Sequence, residues 1–321
     1  MGLSKVQLEA FRRDGFTLVE GLFPAERMAA ALAETEQIFY GKSFAAYLAE
    51  FDATGAAPST EPQSTAAVPH YGETEFGRPQ FPTGAPTLDS LIEDEDYLDI
   101  FEQCLGSAAS YCNAHLFLRC GPSDARHAEH PWQGYHMDHF TNSFLPPSGG
   151  AFDYVNSVIY LHDVEEEGAA MRVMPGSHRQ AVELFGRLSN DPILNPGNID
   201  DVRTLPELAA PIATSAPAGS ALFYSSYLVH GAVPFEDKRR QRAFWTLSMA
   251  RADNSSWSKL ANPWVRSERA VFKAYWQQTT PRVRSLFGWP PPGHPYYDRG
   301  TLANLAAMYP EMDLAPYSES G

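Results

Sequence analysis

The run Ala221-Leu222-Phe223-Tyr224-Ser225-Ser226-Tyr227-Leu228-Val229 has the aromatic and β-branched composition of a strand and delivers His230-Gly231 at its far end. After the polar, turn-like segment Pro234-Phe235-Glu236-Asp237-Lys238, the stretch Arg242-Ala243-Phe244-Trp245-Thr246-Leu247-Ser248 reads as the returning strand. Antiparallel pairing of the two would bring Arg242 back near His230. Strand alternation sets Arg242, Phe244, Thr246 and Ser248 on one face, whereas the competing Arg239 and Arg240 sit in the charged turn. Further strands are expected at Tyr111 to Arg119, Ala151 to Leu161, Met171 to Met174 and Ala210 to Ala216. No helix recurs between them, so an antiparallel sandwich or barrel is expected, not a parallel sheet.

Helices flank this β region. Ser4 is placed to cap a helix over Lys5 to Arg13 that Gly15 ends, Phe16 to Val19 reads as a strand, and Pro24 to about Tyr40 reads as a second helix. Leu88 to Leu105 also looks helical, with Glu93-Asp94-Glu95-Asp96 as a solvated face and helix start. Between them, Gly41 to Pro86 is dominated by Ala, Pro, Thr and Gly and has poor apolar periodicity. It is a candidate lid, with a surface excursion packed on the barrel as the alternative. After about Ala250 the chain turns helical again, especially over Glu268 to Gln277, and then becomes Pro-rich over Phe287 to Pro295. That tail either closes one side of a pocket or forms a dimer contact. The expected organisation is one domain over 1–321: a helical N-terminal region over 1–110 with the candidate lid 41–86, a β-barrel core over 111–250, and a helical, Pro-rich extension over 251–321.

The chemistry-bearing stretch is Gly134-Tyr135-His136-Met137-Asp138-His139-Phe140. A His and a carboxylate two residues apart can bind one metal ion together, and His230 offers a second imidazole. Two His and one carboxylate on one face of an octahedral ion leave three positions open, a pattern suited to non-haem Fe(II) oxygenases. The guanidinium of Arg242 could hold a carboxylate in a bidentate clamp. A zinc hydrolase using His136, Asp138 and His139 is a second reading, although Gly134 stands where that motif would place its first His. A non-catalytic barrel that binds a small ligand is a third.

These residues resemble the phytanoyl-CoA dioxygenase-like branch of the Fe(II)/2-oxoglutarate oxygenases. The likeness extends over about residues 4 to 250 and includes Phe11-Arg12-Arg13-Asp14-Gly15-Phe16 near the start and Val173-Met174-Pro175-Gly176-Ser177-His178-Arg179 in the middle. One departure is local: the glycine usual just ahead of the strand leading into Pro-Gly-Ser-His is replaced by Ala169, with Gly168 one residue early. The resemblance implies a mainly β fold with a helical annex, a double-stranded β-helix (jelly-roll or cupin-like barrel) flanked by N-terminal and C-terminal helices. It implies Fe(II) on His136, Asp138 and His230, and 2-oxoglutarate with its distal carboxylate on Arg242. With O2 as co-substrate, the expected outcome is hydroxylation of a small-molecule metabolite with release of succinate and CO2.

Asn113, His115, Phe117 and Arg119 share one strand face by the period of two. Turned inward, as the resemblance implies, Asn113 and Asn156 are candidates for the co-substrate, and His115, Arg119 and Phe140 for the substrate. Turned outward, they are an ordinary wet face. Tyr135, Phe140 and Phe144 either wall a pocket or pack a core. His127 and His130 lie in a polar loop, His178 is expected to make a structural hydrogen bond, and His70, His162 and His294 carry no usable signal.

Composition is consistent with this reading. The 321 residues, 44% hydrophobic, can form one sizeable core, and the net charge of -15 argues against nucleic acid as a partner. Cys104, Cys112 and Cys120 are odd in number and lack metal-binding spacing, so neither a disulfide framework nor a structural zinc site is expected. The start lacks the apolar core of a signal peptide, and no run of about 18 apolar residues is present to cross a membrane. The expectation is therefore a cytoplasmic protein with no membrane association, as monomer or homodimer.

Overall fold

The computed structural model describes residues 2–60, 62, 74–75, 78–123, 133–136, 152, 154–180, 208–232, 235, 237–252, 270–287, 289–295, 297 and 299–318. Ser4 caps α1 (Lys5–Asp14): its hydroxyl accepts from the Gln7 N–H while the Gln7 side chain accepts from the Ser4 N–H, a reciprocal capping box. Gly15 ends the helix at φ 85°. A Cβ there would lie 2.4 Å from Nδ1 of His178, so backbone and packing both require glycine. The chain then forms β1 (Phe16–Val19), α2 (Ala25–Tyr40), α3 (Phe44–Thr54), β2 (Thr74–Glu75), β3 (Arg78–Pro79), α4 (Pro86–Ser90) and α5 (Glu95–Leu105). The strands β4 (Ala109–Cys120), β5 (Gln133–His136), β6 (Tyr154–Tyr160), β7 (Met171–Val173), β8 (Ile212–Ala213), β9 (Ala221–Ser225), β10 (His230–Ala232) and β11 (Gln241–Arg251) follow. Four helices close the described chain, α6 (Ala270–Gln278), α7 (Pro281–Leu286), α8 (Arg299–Met308) and α9 (Ala315–Ser318).

The strands make a five-stranded sheet in the order β1-β9-β6-β11-β4 and a four-stranded sheet in the order β5-β10-β7-β8. All these pairings are antiparallel. Alternation divides the larger sheet into two faces. On its outer face Val155, Ile159, Ala221, Phe223, Trp245 and Leu247 join the helices in one core. Within it the Phe223 ring lies 5.4 Å from Tyr97 and 5.1 Å from Phe101 of α5. On the inner face Val158, Tyr160, Leu222, Tyr224 and Phe244 pack against Met171 and Val173 of the smaller sheet, with Phe117 at the margin. The stripe Asn113, His115, Phe117, Arg119 therefore faces the second sheet, in phase with Arg242, Phe244, Thr246 and Ser248 across β11.

Several expectations require correction. The run from Ala221 does not reach His230 as one strand: β9 stops at Ser225, and His230 opens β10 in the other sheet. Arg242 is consequently not on a strand paired with that of His230; β11 pairs with β4 and β6. The break at Ser226–Leu228 contains no Gly or Pro and is fully buried, so composition alone looks like a continuing strand. The segment Gly41 to Pro86 is not irregular throughout, because α3 occupies its first third. Ser43 caps α3, Gly55 ends it, and Tyr47 buries its ring 4.6 Å from Tyr40. Residues 61, 63–73 and 76–77 of that segment lie outside the described residues. Leu88 to Leu105 is interrupted at Asp94, whose carboxylate accepts from the Tyr97 N–H and pairs with Arg27 at 2.8 Å. The larger sheet also extends beyond 111–250, since β1 supplies its edge.

The C-terminal extension packs on the helical side. Phe287 stacks on Tyr111 at 4.4 Å, Tyr275 meets Phe81 edge-on at 4.8 Å, and Arg282 pairs with Glu95 and Asp99 of α5. All three cysteines are buried free thiols. Among the described residues, no helix is long and apolar enough to cross a membrane.

The carbonyls that end α1 find their donors in one distant turn. Gly15 N–H takes Phe11, and the Arg12, Arg13 and Asp14 carbonyls accept from His178 Nε2 (3.3 Å), Arg179 Nη1 (2.6 Å) and Gly176 N–H (2.7 Å). His178 thus has the structural role expected of it. Burial pushes its imidazole down to about 4 from the ordinary 6.5. Above pH 6.5 the ring is neutral folded and unfolded alike. As pH falls toward 4, only the unfolded chain takes up the proton, so stability is lost across that window, by up to roughly 3 kcal/mol. The expected outcome is that the stability difference between wild type and His178→Gln, measured by urea unfolding, shrinks as pH falls from 7 to 4. A pH-independent difference would contradict it.

Candidate metal centre

The register of β10 against β5 sets His230 directly opposite His136. Opposed residues of an antiparallel pair carry Cβ atoms about 4.5–5.5 Å apart, which is the backbone requirement for two imidazoles to reach one ion. His230 is 4% exposed, and its Nδ1 lies 2.9 Å from the Leu228 carbonyl. A carbonyl only accepts, so Nδ1 carries the proton and Nε2 is the lone-pair nitrogen, the tautomer a metal ligand needs. The Tyr224 ring lies 4.8 Å from the imidazole. The residue before His230 is fixed from both sides: Val229 N–H donates to Ser177 Oγ at 2.8 Å, and its carbonyl accepts from Met174 N–H at 2.9 Å. The turn that caps α1 thus also holds the start of β10.

Asp138, the expected third ligand, lies outside the described residues, as do His139, Phe140, Phe144, His127, His130 and His70. Among the described residues, no group of three His, Cys, Asp or Glu gathers where it could hold a metal ion.

Arg242 is 3% exposed. Its guanidinium lies 5.3 Å from the Phe117 ring and 5.1 Å from Phe244, and Nη1 donates to the Ala169 carbonyl. The two competing arginines have surface partners: Arg239 makes a two-point ion pair with Asp52 at 2.7 and 3.0 Å, and Arg240 pairs with Glu165 and Asp237. Near His230, a polar row crosses the inner face. Asn113 opposes Ser248, Ser248 opposes Asn156, and Asn156 opposes Tyr224. Ser248 Oγ donates to Asn156 Oδ1 at 2.6 Å. His115, one row along on β4, opposes Thr246, whose hydroxyl donates to the His115 carbonyl. Ser248, Tyr224 and Ser177 were not singled out in the sequence. The alternation that selects Arg242 also selects Ser248, and a period of two within β9 would have selected Tyr224.

Ala169 stands at φ 60°, the one non-glycine residue in the left-handed region among those described. This is the position at which the sequence departs from the expected glycine, and the backbone explains the preference for glycine. Ala169→Gly should raise unfolding stability by about 1 kcal/mol, reduced slightly by loss of the methyl contact with Phe235. A lower denaturation midpoint would mean that the methyl contact outweighs the backbone strain.

Comparison with known proteins adds three findings. The family model for phytanoyl-CoA dioxygenase matches residues 11–241, ending one residue before Arg242. The ectoine dioxygenase of Bordetella bronchiseptica is 26% identical over 237 residues, 71% of this chain and 70% of that protein. Two solved structures share the fold. One is EctD from S. alaskensis with 2-oxoglutarate and 5-hydroxyectoine, with a TM-score of 0.51 and 17% identity, covering 78% of this chain and 77% of that one. The other is the epimerase SnoN in complex with Fe3+, alpha ketoglutarate and nogalamycin RO, with a TM-score of 0.51 and 19% identity, covering 77% of this chain and 83% of that one.

Proposed function

Because the chain belongs to the phytanoyl-CoA dioxygenase family, we propose that it is a non-haem Fe(II)/2-oxoglutarate-dependent dioxygenase that hydroxylates an unactivated C–H bond of a small-molecule metabolite. The observation that carries this reading is the opposition of His136 and His230 on neighbouring strands, with the His230 tautomer set by the Leu228 carbonyl. In this reading His136, Asp138 and His230 hold the iron. The sheet orders support a double-stranded β-helix, because β4, β6, β9 and β11 lie in one sheet and the intervening β5, β7, β8 and β10 in the other.

Bound Fe(II) supplies the activation of O2 that couples decarboxylation of 2-oxoglutarate, giving succinate and CO2, to oxidation of the substrate. The protein's own residues supply placement. Arg242, oriented by the Ala169 carbonyl and enclosed by Phe117 and Phe244, binds the distal carboxylate of 2-oxoglutarate in a site from which water is excluded. Asn113 and Asn156, in one row with Ser248 and Tyr224, give polar contacts for the co-substrate on the inner face. His115, on the inner face, is assigned to the substrate, and the sequence assigns Phe140 with it. The ectoine dioxygenase relative supports a free small metabolite as the substrate class; a shared fold alone does not name the compound.

Anaerobic addition of 2-oxoglutarate to the Fe(II)-loaded protein should produce a visible absorption band, and a screen of small metabolites with succinate detection should find turnover. His136→Ala and His230→Ala should each abolish the band and Fe(II)-dependent turnover while leaving the far-UV circular dichroism intact. Full activity in either variant would refute the ligand set. Arg242→Ala should weaken 2-oxoglutarate binding by about tenfold to a hundredfold while iron still binds, whereas Arg239→Ala and Arg240→Ala should not. The reverse pattern would place the clamp in the turn.

A further inference from the structure

The peptide unit between Leu228 and Val229 is gripped at both ends. Its carbonyl, on Leu228, accepts from Nδ1 of His230 at 2.9 Å, and its N–H, on Val229, donates to Oγ of Ser177 at 2.8 Å. A trans peptide is planar, with C=O and N–H pointing in opposite directions. Fixing the N–H therefore fixes where the carbonyl points, and the carbonyl fixes the imidazole. Leu228, Val229 and Ser177 are 0%, 0% and 1% exposed, so bulk water is no substitute for the hydroxyl. Ser177 is itself held, since its N–H donates to the Met174 carbonyl at 3.2 Å, while Met174 N–H donates to the Val229 carbonyl at 2.9 Å. The turn thus takes both backbone groups of Val229, one through its own backbone and one through a side chain. Only the second depends strictly on which residue stands there.

Resting on the proposal that His230 is a metal ligand, we infer that Ser177 is a positioning residue for it, whose hydroxyl sets the tautomer and direction of the imidazole through the Leu228–Val229 peptide. Gly176, His178 and Arg179 give donors to the end of α1, and Ser177 between them gives its acceptor to Val229. The action has two parts. The hydroxyl holds the plane of the amide, and by accepting from its N–H it polarises the same amide, so that the carbonyl becomes a stronger acceptor. A stronger acceptor keeps the His230 proton on Nδ1 and leaves the lone pair on Nε2. Without the hydroxyl, a buried N–H loses its partner, and the peptide gains by turning toward another.

The test takes the metal-free protein labelled with 15N-histidine, as wild type, Ser177→Ala, Ser177→Thr, Ser177→Val and His178→Gln. The tautomer of His230 is read from its two nitrogen shifts at alkaline pH, with the His230→Ala spectrum identifying the ring, and each protein is then titrated with Ni(II) by calorimetry. Wild type is expected to carry the proton on Nδ1 alone. Ser177→Ala should add the form protonated on Nε2 and weaken Ni(II) by about tenfold, the scale on which groups that orient a ligand act. Ser177→Thr keeps the oxygen and should stay within about threefold of wild type, whereas Ser177→Val has the shape of Thr without the acceptor and should follow Ser177→Ala. The Thr and Val pair carries the comparison if Ser177→Ala does not fold. His178→Gln disturbs the turn on its α1 side and should move neither readout. The inference is overturned if Ser177→Ala and Ser177→Val keep the single tautomer and the wild-type affinity, or if His178→Gln weakens Ni(II) as much as they do, which is the mark of a loosened turn. A wild type that binds Ni(II) with an affinity indifferent to Ser177 sinks the inference and leaves the proposed function standing. A wild type that binds no Ni(II) sinks both.

Discussion

Helix α1 ends against a distant turn, and its last carbonyls need donors from outside the helix. One turn, Gly176 to Arg179, supplies a backbone N–H, an imidazole and a guanidinium to them. The neighbouring Ser177 hydroxyl and Met174 N–H hold Val229, and the Gly15 carbonyl accepts from Ser225 at the end of β9. A helix end, the last residue of one strand and the approach to the first residue of the next are therefore locked by a single set of hydrogen bonds. The two sequence signatures of the family, around Phe11–Phe16 and around Val173–Arg179, are the two halves of this contact. Their joint presence in the sequence has a physical reason, since the carbonyls of one half accept from the donors of the other.

The larger sheet separates stability from chemistry by the period of two. Its outer face is covered with Trp245, Phe223, Leu247 and Ile159 against helices from both ends of the chain. Its inner face carries Asn113, Ser248, Asn156 and Tyr224 in one row and the opposed arginines at the end of the same strands. Polar groups at such depth are tolerated when bonded, as Ser248 is to Asn156 and Arg242 to Ala169.

Much of this was legible in the residues. Ser4, Gly15, Phe16–Val19 and the phase of Arg242 with Ser248 follow from capping, left-handed glycine and alternation, all local effects. The family likeness was legible from two motifs and is borne out by the match over 11–241. Tertiary context hid the rest. The turn at Ser226–Leu228 is buried, and it carries none of the Gly, Pro or Asn by which a surface turn declares itself. That concealed the passage of the chain from one sheet to the other, and with it the true neighbours of His230. Helix α3 was obscured by the Ala- and Pro-rich residues that follow it; its support comes from Tyr40 and Glu36 of the preceding helix and from the distant Arg239. The opposition of His136 and His230 required strand register, which spacing along the chain does not encode.

Strand β1 forms the edge of the larger sheet by pairing Phe16–Val19 with Ala221–Tyr224, a contact between segments separated by about two hundred residues. During synthesis β1 emerges long before its partner, and until β9 leaves the ribosome the edge of β1 and the Gly15 carbonyl remain without their partners. Such a long loop must close before the contact contributes anything, so assembly of this protein is slow relative to a helical domain of equal size. The N-terminal strand is a latch whose catch lies in β9, and a chain truncated before Ala221 would leave that latch with nothing to engage.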